Sequence, residues 1–143
     1  MRSSESRRLA TLLLAALGAD VQANDFSLSP AGSFPNFHWG VQIDGAAAQA
    51  NPTLTLIRGQ TYTFTVSGLA GAHSFYINTE STTLTTFEYA GSGLSANGLT
   101  ADGTATFAVP QDAPDTLFYN CSHHGSMAGM ITIDGIFADS FEG

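Results

Sequence analysis

Thr61-Tyr62-Thr63-Phe64-Thr65-Val66 alternates without a break, with Tyr62, Phe64 and Val66 on one face and threonines on the other. A period of two in β-branched and aromatic residues fits a half-buried strand and not a helix. Thr53-Leu54-Thr55-Leu56 and Thr104-Ala105-Thr106-Phe107-Ala108-Val109 repeat the pattern. Further strands are expected at Phe37 to Ile43, His73 to Ile77, Thr116 to Cys121 and Met130 to Ile133. Asp44-Gly45, Arg58-Gly59, Asn97-Gly98, Asp102-Gly103 and Asp134-Gly135 supply the turn chemistry between them. Glu80 to Ala96 is rich in Thr, Ser and Gly and is expected to be a long surface excursion. No long amphipathic helix and no internal repeat is visible. Many short strands with frequent turns imply an all-β sandwich or barrel.

Residues 1–23 have another character. Arg2, Arg7 and Arg8 precede the apolar run from Leu9 to Ala19, and Val21-Gln22-Ala23 offers small residues at a peptidase spacing. This is the pattern of a signal peptide, so the mature chain is expected to begin at Asn24 and to be periplasmic or extracellular. The apolar run is too short to span a bilayer. Residues 24–135 then form one domain, and residues 136–143 form a short acidic and aromatic tail. Past residue 23 the only basic side chain is Arg58, whereas ten of the twelve acids remain, since only Glu5 and Asp20 are removed. Such a surface is unsuited to nucleic acid, which needs Lys and Arg. It would attract a basic redox partner, or simply keep an exported protein soluble. The mature chain is expected to act as a monomer without a membrane span.

Cys121-Ser122-His123-His124-Gly125-Ser126-Met127 carries the chemistry. Cys121 is the sole cysteine, so no internal disulfide can form. An exposed free thiol outside the cytoplasm would be oxidised, whereas a metal-bound thiolate is protected. Thiolate, imidazole and thioether form a soft donor set that favours copper. Cys121 shares the strand parity of Leu117 and Tyr119, which points its sulfur inward. His124 can turn back to the same point, Met127 follows within the loop, and Gly125 and Gly129 give the loop freedom to wrap. His73, opening a separate strand on the face of Phe75 and Ile77, supplies the missing ligand. The set His73, Cys121, His124 and Met127 matches a His₂Cys trigonal site with a weak axial methionine. Met130 enters the last strand and is expected to pack. His123 is expected to be an exposed neighbour, and His38 to be structural. Zinc fits less well, because thioether is not a usual zinc ligand.

At this point the chain resembles the cupredoxins. Asn51 to Phe64 looks like their early strand pair, Ala72-His73-Ser74-Phe75-Tyr76-Ile77 like their first-histidine strand, and Val109-Pro110 through Cys121 and His124 like their closing ligand loop. The resemblance runs from about Val41 to Ile133 and is similar to plastocyanin and its bacterial relatives. It implies a Greek-key β-sandwich holding one type 1 copper, with His73, Cys121 and His124 as equatorial ligands. Met127 lies closer to the loop histidine than in plastocyanin-like loops. That spacing resembles part of a dinuclear copper loop, but the second cysteine such a centre needs is absent.

A closed donor set has no open position for substrate, so an electron carrier is expected rather than an enzyme. Copper delivery, storage or resistance is the alternative, and a metal-free interaction module is the third.

Overall fold

The computed structural model describes residues 24–135, so the expected signal peptide (1–23) and tail (136–143) lie outside the described residues. Among the described residues nine strands form two sheets. They are β1 (Asp25–Ala31), β2 (His38–Ile43), β3 (Gln49–Ala50), β4 (Leu54–Ile57), β5 (Thr61–Val66), β6 (Tyr76–Asn78), β7 (Gly103–Ala108), β8 (Thr116–Asn120) and β9 (Ala128–Asp134). The first sheet runs β3-β2-β1-β5-β7 and the second β4-β9-β8-β6. The chain changes sheets at every connection from β3 to β8, and β1 with β5 and β4 with β9 pair in parallel. This is the expected all-β Greek-key sandwich. Among the described residues no helix is long and apolar enough to cross a membrane.

Alternation decides what is buried. Tyr62, Phe64 and Val66 of β5 face Leu117 and Tyr119 of β8 and Ile131 of β9 across a common core, all essentially inaccessible. Burial of each such side chain contributes about 1.5–3 kcal/mol. Two polar tips enter the core with partners: Tyr62 Oη accepts the Ile57 N–H at 3.0 Å, and Tyr119 Oη donates to the Pro52 carbonyl. Burial raises the pKa of both phenols, most strongly for Tyr119, and keeps them neutral.

The structure departs from expectation at three points, His73, β1 and Gly129. The strand expected from His73 begins only at Tyr76. Ahead of it, Phe75 pairs with Leu99 alone, and a tight turn directs the Ala72 and His73 N–H groups to the Leu69 carbonyl. β1 was not expected, because Ser and Pro interrupt its Phe26/Leu28 alternation. Pro30 is tolerated because it lies beyond Leu28↔Val66, the last pair with β5, on the side where it would otherwise have to donate. The 80–96 segment is the expected surface excursion, anchored at one point where Tyr89 is buried against Phe107. Gly129 does not loosen the ligand loop. It sits in β9 opposite Tyr119, and a Cβ there would collide with the Tyr119 ring.

Candidate metal centre

β8 ends at Asn120, so Cys121 is the first residue beyond the sheet and keeps the inward parity of Leu117 and Tyr119. The loop that follows closes on itself: Cys121 N–H donates to the Met127 carbonyl and Met127 N–H to the His124 carbonyl, both at 3.0 Å. This turn brings the His124 ring back over the sulfur, with Nδ1 3.7 Å from Sγ. His73 arrives from the segment before β6. The ligand atoms of His73, Cys121 and His124 all lie within 4.8 Å of one another, the one such cluster among the described residues.

Each donor suits a soft metal. Cys121 is fully buried, which limits access of oxidants to its sulfur. Burial, with smaller contributions from His124 and His123, lowers the His73 pKa and favours the neutral imidazole that a ligand needs. His73 Nδ1 is buried and has no hydrogen-bond partner among the described residues. An orphaned buried nitrogen costs free energy unless something binds it, and a metal ion would do so. The His123 N–H points at Cys121 Sγ from 3.4 Å.

The surroundings hold these groups in place. Ser122 N–H donates to Ser74 Oγ at 2.9 Å, and the two hydroxyl oxygens lie 2.6 Å apart, joining the residues that follow His73 and Cys121. Phe37 sets its ring edge-on against both imidazoles, with centroids 5.0 Å from His73 and 4.8 Å from His124. The fold is of cupredoxin type. A two-sheet sandwich with mixed pairing, gathering His, Cys and His at one end, carries that statement.

The remaining candidates separate cleanly in this cupredoxin-type domain. Met127 is fully buried and bonded through its backbone to both Cys121 and His124. Met130 is 40% exposed on the outer face of β9. His123 is exposed, and neither it nor His38 joins the cluster. Phe37, Ser74 and Ser122 were not singled out in the sequence. The serines directly after His73 and Cys121 were a signal available there; Phe37 gave none.

No family model and no curated protein matches the sequence. Among solved structures, the chain is similar to the McoA multicopper oxidase of Aquifex aeolicus, with 18% identity over 83% of this chain and a TM-score of 0.46. It spans only 28% of that oxidase chain. Rusticyanin from Thiobacillus ferrooxidans matches at 23% identity and TM-score 0.44, over 79% of each chain. A purple cupredoxin from Nitrosopumilus maritimus matches at 12% identity and TM-score 0.46, over 78% of this chain and 99% of that one.

Proposed function

We propose that this chain is an exported mononuclear copper protein that carries electrons between partner proteins. His73, Cys121 and His124 would hold the ion, and Met127 would be its axial neighbour. When bound, copper would supply one-electron cycling between Cu(I) and Cu(II). The observation that carries the reading is the His-Cys-His cluster, with His73 and Cys121 buried and His73 Nδ1 left unpartnered.

The side chains divide the work. Cys121 continues β8 directly, so its sulfur connects the centre to the backbone of a core strand. Phe37 would shield the two imidazoles from water. Ser74 and Ser122 lock the two ligand segments together, so little has to move on a change of charge. Burial of the donors opposes entry of a substrate, which argues against catalysis. His124 is the half-buried ligand and the shortest route to a partner, for which a basic redox protein would suit the acidic chain.

Voltammetry of the copper-loaded protein tests this function. Reversible one-electron cycling with the visible thiolate-to-copper band retained supports a carrier. Irreversible loss of copper on reduction, with transfer to a Cu(I) chelator, supports delivery or storage instead.

A further inference from the structure

The peptide group between Ser126 and Met127 is held at both ends. Its N–H donates to the His124 carbonyl at 3.0 Å, and its oxygen accepts from Asn51 Nδ2 at 3.0 Å. Asn51 directly follows β3 of the first sheet and lies 75 residues away in sequence. Asn51 is itself fixed. Its N–H donates to the Trp39 carbonyl at 2.9 Å, and its Oδ1 accepts the Trp39 N–H at 2.8 Å. Its backbone has a φ of +43°, a left-handed conformation that Asn adopts more readily than most residues. With both edges of Trp39 engaged, the Asn51 amide has one free direction, and Nδ2 points along it to the ligand loop. Ser126 adds a second tie, its Oγ donating to the Phe37 carbonyl at 2.6 Å.

We propose that Asn51 is a positioning residue that fixes Met127 against the His73–Cys121–His124 cluster by pinning the Ser126–Met127 peptide to the first sheet. A peptide group bonded on both sides cannot rotate, so the Cα of Met127 and the carbonyl of His124 are set together. The short His124-to-Met127 spacing leaves little slack to correct an error, and the tie from outside the loop replaces that slack. The inference rests on the copper reading for its consequence at the metal, but the pinning itself is a property of the polypeptide.

Two variants and two readouts test it. Asn51→Gly tolerates the positive φ and removes both side-chain bonds. Asn51→Asp keeps the acceptor for Trp39 but loses the donor to Ser126. Amide hydrogen exchange in the metal-free protein should quicken at Met127 roughly tenfold in both variants, while Thr106 in β7 is unchanged. In the Cu(II) protein both variants should alter the EPR signal and the visible band. Unchanged Met127 exchange, or an unchanged copper spectrum with only a lower melting temperature, overturns the proposal. If the unaltered protein shows no thiolate-to-copper band, the copper reading fails, and the exchange experiment still decides the pinning.

Discussion

The two ends of the sandwich are closed by different chemistry. At the end where β4 gives way to Arg58, a guanidinium ties the structure. Arg58 Nη1 donates to the Ile133 carbonyl at 3.2 Å, and Nη2 donates to the Ala113 carbonyl at 2.7 Å and to Asp115 at 2.8 Å. At the opposite end the ligand loop, the turn before β6 and the start of β2 carry no Asp, Glu, Lys or Arg from residues 120–130, 69–79 and 33–43. There the side-chain ties that reach the ligand loop are neutral: Ser74 to Ser122, Ser126 to Phe37 and Asn51 to Ser126; a carboxylate enters only at the start of the turn before β6, where Asp102 accepts the Leu69 N–H at 3.0 Å. Both arrangements join distant segments. Only the second can surround two imidazoles and a thiol without placing a fixed charge beside them, where it would bias the charge state of a bound metal. The difference separates a charged fastening at one end of the sandwich from a neutral one at the other.

Variants should keep that separation. The largest effect is expected for Cys121→Ser, which should abolish the visible copper band while circular dichroism still reports a β-sandwich. A retained band would remove Cys121 from the site. Arg58→Ala should come next for stability, lowering it by about 2 kcal/mol in denaturant titration, because the Ala113 and Ile133 carbonyls lose their charged donor. Copper binding should be unaltered, and a weakened site would show that the ends are coupled. Met127→Leu should shift the reduction potential clearly, while Met130→Leu, on the exposed outer face of β9, should barely move it. The reverse order would reassign the axial neighbour. The smallest effect belongs to Asp115→Asn, at most about 0.5 kcal/mol, since Asp115 is 91% exposed and its ion pair is screened by solvent.

Much of this was legible in the residues. Strict alternation marked β5 at its observed bounds, and the parity of Leu117, Tyr119 and Cys121 fixed the inward course of the sulfur. Cys121 and His124 were readable because thiol and imidazole lie three residues apart in one loop, and His73 because it precedes Phe75 and Ile77 in a separate alternating segment. Position was harder than identity. His73 was expected to open a strand, yet β6 begins only at Tyr76, because the Ala72 and His73 N–H groups are taken by a turn onto the Leu69 carbonyl. β1 was hidden because its Ser and Pro residues are tolerated only by its place between β2 and β5. Asn51, Phe37 and Ser126 left no local sign of their roles, since their bonds to one another span 75 and 89 residues. Gly129 was legible as a glycine but not as the space into which the Tyr119 ring fits.

The most direct test of the central claim is to add one equivalent of Cu(II) to the metal-free protein and record its optical and EPR spectra together. A buried His73–Cys121–His124 centre predicts an intense visible thiolate-to-copper band, an EPR signal with the narrow copper hyperfine splitting of a covalent thiolate site, and saturation at one ion per chain. A weak, broad spectrum of the kind given by imidazole and water alone, or no uptake at all, would contradict it.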